Sequence, residues 1–314
     1  MQNAIEVEGL TKVYNRGERG VEPVLAVDHI DFQVRQGEIF GFLGPNGAGK
    51  TTTIRMLTGL TRPTEGSARI LGYDLSGDVT QIKKRTGVVP EASNLYDELT
   101  AFENLVFSMQ LYGVPRQDRK ARAETLLEQF RLGGKRDTAF ARLSRGMKRA
   151  LTITAALAHD PPLVFLDEPT TGLDVMSARN LRQMIAGMRE AGVTVFLTTH
   201  YLEEAERLCD RIAMLVNGRI VALDTVDRLK SGAQEKTIVE VTMVDSNGCV
   251  ETERFLTDDG VEAAVYLALE QSGGRRVLAV NTLRPSLEDV FVKLTGLSAE
   301  VMLAEKAGKG KGNG

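Results

Sequence analysis

An eight-residue segment constrains this sequence more than any other feature. Residues 44–51 read GPNGAGKT and fit the pattern GxxxxGK[ST]. The segment follows the apolar run Ile39–Leu43 and precedes TTTIRMLTGL, which has the pattern of a helix. A strand, a glycine-rich loop and a helix in this order bind phosphate, because backbone N–H groups of the loop turn towards the anion. The segment therefore predicts an α/β core that binds a nucleotide at the end of this strand.

Each residue type of this loop has an expected task. The Lys50 ammonium can contact the β- and γ-phosphates, and the Thr51 hydroxyl can ligate Mg²⁺. The start of the following helix adds about half a positive charge. The residues expected to contact the nucleotide here are Gly44, Pro45, Asn46, Gly47, Ala48, Gly49, Lys50, Thr51 and Thr52.

A second segment, far along the chain, supplies the acidic half of such a site. The apolar run Leu163–Leu166 is followed directly by Asp167 and Glu168. Strands of this kind lie inside parallel sheets and end at the edge where ligands bind. We expect Asp167 to hold Mg²⁺ and Glu168 to polarise the water that attacks the phosphate.

Further motifs accompany these two segments. The sequence LSRGM covers 143–147 and begins shortly before the second segment, DEPTTGLD covers 167–174, and Thr199-His200 follow. With these motifs in this order, the chain resembles the ATP-binding subunit of an ABC transporter from Ile5 to about Leu223. The motif RPSLEDVF, at 284–291, resembles the subgroup that energises the export of drugs, polysaccharides or ions.

The resemblance implies that two copies pair head to tail around two ATP molecules. Ser144 and Gly146 would contact the γ-phosphate held by the other copy, and Asp174 would link the two sites. His200 would contact the γ-phosphate, and Tyr14 would stack on adenine. The expected catalytic residues are therefore Lys50, Glu168 and His200.

The sequence departs from the family pattern at three positions. Arg145 and Met147 stand where the family has Gly and Gln, and Glu91, in GVVPE, stands where the family's Q-loop has Gln. A carboxylate can still ligate Mg²⁺, so the expected metal ligands are Thr51, Glu91 and Asp167. The resemblance also implies that the Glu91 loop contacts a membrane subunit.

Three segments of the chain differ in their patterns. Residues 1–223 alternate β-branched runs with helical patterns, and we expect a P-loop core with an antiparallel β subdomain. Within this segment, about 99–158 predict a helical insert. Residues 224–296 predict a small α+β accessory or regulatory domain, and 297–314, which end in KAGKGKGNG, predict a disordered tail.

Local patterns predict individual elements within these segments. The expected strands are Ile5–Val7, Ile39–Leu43, Leu163–Leu166, Val193–Thr198, Thr237–Val244 and Arg276–Val280, with a hairpin of Ile212–Val216 and Arg219–Ala222 around Asn217-Gly218. The expected helices include one capped by Thr100 and Glu103 that runs to Leu111, Arg119–Phe130, Val261–Glu270, and one capped by Ser286 and Asp289.

Composition and charge exclude several functions. Lys and Arg number 39 and Asp and Glu 42, a net charge of −3 that gives no basis for nucleic-acid binding. Cys209 and Cys249 lie outside any CxxC or Cys/His cluster, so neither a disulfide framework nor a zinc site is expected. The sequence shows no signal peptide, and its longest apolar stretch, Ala150–Leu166, is interrupted by His159, Asp160 and two prolines. We expect a cytoplasmic protein that is peripheral at the membrane and works with a separate permease.

Two alternatives remain open. One is a soluble ABC-type ATPase that acts on DNA or ribosomes, which would require a long heptad insertion or a second cassette. The chain has neither, since 94 residues separate Lys50 from Ser144 and one GxxxxGK[ST] is present. The other is a weakly catalytic nucleotide sensor, suggested by Arg145 and Glu91. The transported substrate, the direction of transport and the role of residues 224–296 are not determined by these patterns.

Overall fold

The computed structural model describes residues 2–16, 20–233, 237–244, 248–257, 265, 269, 275–283, 285–297 and 300–303. The chain divides into two compact units, Met1–Leu223 together with Glu300–Gly314, and Asp224–Ala299. The described strands are β1 (Asn3–Tyr14), β2 (Val24–Arg35), β3 (Ile39–Leu43), β4 (Glu65–Ile70), β5 (Tyr73–Asp74), β6 (Thr86–Val89), β7 (Leu163–Asp167), β8 (Thr194–Thr199), β9 (Arg211–Val216), β10 (Arg219–Thr225), β11 (Thr237–Val244), β12 (Val250–Thr257) and β13 (Arg276–Leu283). The described α-helices are α1 (Lys50–Leu57), α2 (Val79–Arg85), α3 (Ala101–Leu111), α4 (Arg116–Gln129), α5 (Arg145–Ala156), α6 (Val175–Glu190), α7 (Leu202–Leu208), α8 (Val226–Ala233), α9 (Leu287–Thr295) and α10 (Glu300–Leu303).

A six-stranded sheet carries the phosphate loop of the first unit. Its strand order is β10-β9-β3-β8-β7-β6, and β3 pairs in parallel with both β8 and β9. Every residue of β3, β7 and β8 is buried, as expected for parallel strands that are covered on both faces. The hairpin between β9 and β10 turns at Asn217 and Gly218, whose φ angles of 49° and 80° are both positive, as a type I′ turn requires.

An antiparallel sheet of order β2-β1-β4-β5 forms the second layer of this unit. Its Phe32 ring stacks on Phe40 of β3, with ring centroids 5.6 Å apart, and lies 6.0 Å from the ring of Phe196 of β8. The main apolar core therefore lies between the two sheets, where α1 adds Ile54 and Leu57.

The helical insert has a core of its own. Leu105 and Met109 of α3, Leu127 of α4 and Leu151 of α5 belong to one buried apolar cluster. A capping box of Thr100 and Glu103 starts α3 as predicted. The helix α4 begins at Arg116, three residues before its expected start and directly after Pro115.

The second unit is a small α+β structure in the residues described. Its sheet has the order β12-β11-β13, and both strand pairs are antiparallel. Val239, Val241, Met243 and Phe255 form a buried cluster on this sheet. A capping box at Ser286 starts α9, as the sequence predicts. The expected helix Val261–Glu270 lies almost wholly outside the described residues.

Several expectations about elements were wrong. The first strand is Asn3–Tyr14 and not Ile5–Val7, because register shifts around Gly9 interrupt the alternation without ending the strand. The strands β2, β4, β5, β6 and β12 were not predicted. The segment assigned to a disordered tail contains α10, and its Met302 is buried; residues 304–314 lie outside the described part. None of the described helices combines the length and the apolar character needed to cross a membrane.

Candidate nucleotide site

The phosphate loop connects the buried strand β3 to α1. Gly47 and Gly49 have φ angles of 83° and 110°, which favour glycine. A Cβ atom on Gly44 would lie 2.3 Å from the carbonyl oxygen of Leu215, so no larger residue fits there. The Gly44 N–H also donates to the Thr199 carbonyl at 3.3 Å, which fixes the loop to the end of β8.

Lys50 is a buried cation at the start of α1. Its Nζ donates to the carbonyl oxygens of Gly44 at 2.6 Å and Pro45 at 3.2 Å. The same Nζ lies 3.0 Å from Oε1 of Glu168. The structure thus brings together the two segments that the sequence singled out, although they are separated by more than 100 positions.

Asp167 lies at the centre of a cluster of oxygen atoms. Its Oδ1 accepts hydrogen bonds from Thr51 Oγ1 at 3.3 Å and from Thr198 Oγ1 at 2.6 Å. Carboxylate and hydroxyl oxygens are the ligands that Mg²⁺ prefers. Thr51 and Asp167 therefore offer oxygen atoms of the kind that a magnesium ion would take as ligands.

Glu168 is held from several sides. Its Oε2 lies 2.8 Å from Nδ1 of His200 and accepts a hydrogen bond from Thr171 Oγ1 at 3.1 Å. Burial alone would raise the pKa of Glu168, but the hydrogen bond to His200 and the charge of Lys50 outweigh burial and lower the pKa. Its φ is 48°, a left-handed conformation that costs an L-residue about 1–2 kcal/mol.

Three expected residues lie at helix starts. Ser144 caps α5 and accepts from Met147 N at 3.3 Å, and Asp174 caps α6 and accepts from Ser177 N at 2.9 Å. A Cβ on Gly146 would lie 2.4 Å from Ser177 Oγ, so α5 and α6 approach closely here. No described contact joins Ser144, Gly146 or Asp174 to Lys50 of the same chain.

Glu91 and Tyr14 were expected to bind the metal and adenine. The Glu91 side chain is exposed, and the contacts described for this part of the chain place its carboxylate on neither Thr51 nor Asp167. Tyr14 ends β1 with a half-buried ring, and the Lys12 ammonium lies 5.1 Å from the ring centre. Neither assignment is tested by these contacts.

Comparison with known proteins decides the family. Residues 27–171 match the family model described as ABC transporter. Over 97% of its length the chain is 37% identical to the daunorubicin/doxorubicin resistance ATP-binding protein DrrA of Streptomyces peucetius, of which it covers 96%. The chain belongs to the ABC transporter family. It is the ATP-hydrolysing subunit of that family, and the resemblance inferred from its motifs is confirmed.

Other relatives of this ABC ATPase agree with that assignment. The linearmycin resistance ATP-binding protein LnrL of Bacillus subtilis is 34% identical, over 93% of this chain and 98% of the relative. Among solved structures, a dimeric post-hydrolysis state of the ATP-binding cassette MJ0796 bound to ADP and Pi matches with a TM-score of 0.64 and 27% identity, over 70% of this chain and 98% of that chain. The expected P-loop α/β fold is therefore confirmed.

The motifs of the ABC ATPase did not reveal every residue at the site. Thr198 and Thr171 contact the two carboxylates, and Arg149 lies buried beneath them. The signal for Arg149 was available, since this arginine lies one helical turn before the buried Ile153 on the same side of α5. A buried cation requires several hydrogen-bond acceptors close by, so a charged residue on the buried side of a helix indicates a polar cluster there.

Proposed function

We propose that this ABC ATPase hydrolyses Mg-ATP in two composite sites, each formed by two copies of the chain, and powers a separate membrane subunit of an exporter. Relatives that this chain matches along almost their whole length are named for resistance to daunorubicin and doxorubicin and to linearmycin. A third, from Mycobacterium tuberculosis, is named a fluoroquinolones export ATP-binding protein and is 38% identical over 93% of both chains. These names support export of drug-like molecules, and they favour a transporter over an ATPase that acts on DNA or ribosomes.

The observation that carries the proposed chemistry is the position of Glu168. A buried, ionised carboxylate lies between Lys50, at 3.0 Å, and His200, at 2.8 Å. Such a carboxylate can accept a proton from a water and orient it for attack on the γ-phosphate. Lys50 and the backbone N–H groups of its loop would hold the phosphates of ATP.

The metal would be held by Thr51 and Asp167, with Glu91 as a further ligand from its loop. Magnesium, when bound, neutralises charge that develops on the phosphate oxygens. The hydrogen bond from Thr198 keeps the Asp167 carboxylate fixed next to Thr51. Tyr14, at the end of β1, would stack on adenine.

The second copy would complete each site from the starts of α5 and α6. Ser144 and Asp174 are exposed there and have no described contact with the chain's own Lys50. The N-terminus of α5 provides free backbone N–H groups and a partial positive charge, which suit a phosphate supplied by another copy. Head-to-tail pairing gives each ATP one phosphate loop and one such helix start.

The membrane subunit would dock on the helical insert and the Glu91 loop. Tyr96, Leu111 and Tyr112 expose 51%, 69% and 37% of their surface. Exposed apolar side chains on the insert and on the segment that leads into it suit a contact surface for another protein. Through such contacts the ATPase would sit peripherally on the cytoplasmic face of the membrane.

The substitution Glu168→Gln tests the proposed chemistry. The amide keeps the shape of the side chain but cannot accept the proton, so we expect ATP turnover to fall by about 10²-fold or more while ATP still binds. The ATP-bound dimer should accumulate, which size-exclusion chromatography detects. Glu203→Gln, on an exposed position of α7, is the matched control and should keep full turnover. Near-normal turnover of Glu168→Gln would contradict the role of Glu168.

A further inference from the structure

Arg149 is a buried cation at the back of the proposed ATP site. It belongs to the buried side of α5, and 8% of its surface is exposed. Burial lowers the pKa of Arg149 to about 10, so the guanidinium stays charged near neutral pH. A charge in such a position is stable only if its N–H groups are well paired.

The guanidinium donates to backbone carbonyls of two separate loops. Nε donates to the Pro169 carbonyl at 2.8 Å and Nη2 to the carbonyl of Asp167, the last residue of β7, at 2.7 Å. Nη1 donates to the carbonyls of Pro90 and, at 3.2 Å, Glu91. The planar guanidinium can donate to all of these carbonyls at once, whereas the single ammonium of a lysine cannot reach them together.

Two of these carbonyls flank Glu168, the residue with the left-handed backbone. An L-residue keeps a positive φ only where the surrounding structure imposes it, and Pro169 restricts Glu168 further. The Glu168 N–H donates to the carbonyl and the hydroxyl oxygen of Thr198, at 3.2 and 3.1 Å. Arg149 and Thr198 therefore hold the peptide unit that joins Asp167 to Glu168 from its two edges, and Arg149 also holds the carbonyl of Pro169.

We propose that Arg149 is a positioning residue for ATP hydrolysis, which keeps the Glu168 carboxylate next to Lys50 and His200 and fastens this segment to the Glu91 loop. The inference rests on the role proposed above for Glu168. Arg149 also lies about 7 Å along α5 from Ser144. A movement of the end of α5 that faces the second copy is therefore transmitted to the backbone of Glu168.

The variants Arg149→Lys and Arg149→Met test this inference. Lysine keeps the charge but loses the fork, and methionine loses both. We expect kcat of Arg149→Lys to fall by about 10²-fold, the effect of misplacing a reacting group by about 1 Å, while KM and the affinity for ATP without Mg²⁺ change by less than about threefold. Arg122→Met removes another partly buried arginine, paired with Asp160, and should keep kcat.

A double substitution separates positioning from general damage. If Arg149 acts through Glu168, then Arg149→Lys should lower kcat when Glu168 is present. The same substitution, added to Glu168→Gln, should leave the residual turnover of that variant unchanged. An equal fall in both backgrounds, or wild-type kcat in folded Arg149 variants, overturns the inference. Normal turnover of Glu168→Gln alone overturns the proposed function instead. If Arg149→Met does not fold, Arg149→Gln, which keeps one NH₂ group as a donor, replaces it in the same comparison.

Discussion

At the scale of single residues, two buried carboxyl groups of this ATPase have pKa values shifted in opposite directions. Glu168 accepts a hydrogen bond from His200 and lies next to the Lys50 cation, and these contacts lower its pKa despite burial. Glu204, on α7, is buried against hydroxyl groups, and burial raises its pKa because the hydroxyls of Thr170 and Thr199 offset only part of the effect. The ionised carboxylate is therefore stabilised at Glu168, where it suits catalysis, and destabilises the fold at Glu204.

This difference predicts how stability depends on pH at Glu204. Since the pKa is higher in the folded than in the unfolded state, ionisation destabilises the fold as pH rises from the ordinary carboxyl value through the folded one, and the loss is constant above that. We expect Glu204→Gln to have a higher Tm than the wild type at pH 8, and the gain to vanish towards about pH 4. Melting curves across this range measure it.

The exposed neighbour Glu203 supplies the control for this measurement. Its substitution by Gln should change Tm little, without dependence on pH. A gain for Glu204→Gln that is the same at every pH, or a loss at pH 8, would show that ionisation is not its cause.

At the scale of elements, strand ends were predicted correctly where the apolar pattern stops at turn residues, and they were missed where bulges shift the pattern. Ile39–Leu43 and Thr237–Val244 are predicted with their observed bounds because apolar runs or alternation coincide with turn residues. Thr100 and Ser286 cap helices as expected, since a capping box is a local interaction. The long β1 was missed because its alternation is shifted by bulges, which depend on the neighbouring strands.

In the candidate site too, contiguous motifs could be predicted from the sequence and contacts between distant segments could not. The phosphate loop and the Asp167-Glu168 pair are visible in the sequence because each is a contiguous motif. The distance between these two motifs depends on strand order, which no local pattern contains. The same holds for the contact of Glu168 with His200 and for the hydrogen bonds that Arg149 donates. The metal-ligand role of Glu91 stays a prediction, since its backbone carbonyl contacts Arg149 while its side chain is exposed.

The cap of α9 provides a prediction for a single element. Ser286→Ala removes the acceptor for the Asp289 N–H, which lies 3.2 Å from the serine oxygen. We expect a loss of about 1 kcal/mol in helix stability, seen as roughly fivefold faster amide exchange in α9. Ser286→Asn keeps a capping oxygen and should exchange at close to the wild-type rate; equal acceleration in both variants would contradict the cap.

At the scale of the whole molecule, the two units have separate cores. Val239 and Val241 pack with Met243 and Phe255 of their own unit, whereas the phosphate loop, Asp167 and His200 belong to the first unit. We therefore expect a chain that ends after Thr225, at the end of β10, to bind ATP within about threefold of the full-length affinity. Isothermal titration on a variant whose fold is verified by circular dichroism measures this.

The truncation also removes Met302, which is buried in the full chain. Met302→Ala in the full-length protein separates the two effects: it should lower Tm by several degrees and leave ATP affinity unchanged. A folded truncation that fails to bind ATP, next to a normal Met302→Ala, would show that the second unit contributes to the nucleotide site.

The composite site predicts complementation between inactive chains. Lys50→Ala removes the cation of the phosphate loop, and Ser144→Arg blocks the start of α5, so neither homodimer should hydrolyse ATP. In a mixed dimer both lesions fall in one site and leave the other intact, so mixing should restore up to about half the activity. ATPase assays of the mixture measure it.

Coupling between the two sites could suppress turnover even in a mixed dimer of the expected architecture. ATP occlusion is therefore measured together with heterodimer formation. One occluded ATP per mixed dimer agrees with pairing in trans, whereas none, with heterodimers present, contradicts it because each chain would then carry its own damaged site.

The strand order also determines when a newly made chain can acquire its nucleotide site. The partners of β3 in the central sheet are β8 and β9, which are encoded far later in the chain. At synthesis rates of about 5–20 residues per second, β3 waits roughly 10–30 s for these neighbours. During that time its apolar residues and the loop at its end have no sheet to join. A nascent chain of this ATPase therefore exposes an unpaired, wholly apolar strand to chaperones before it can hold ATP.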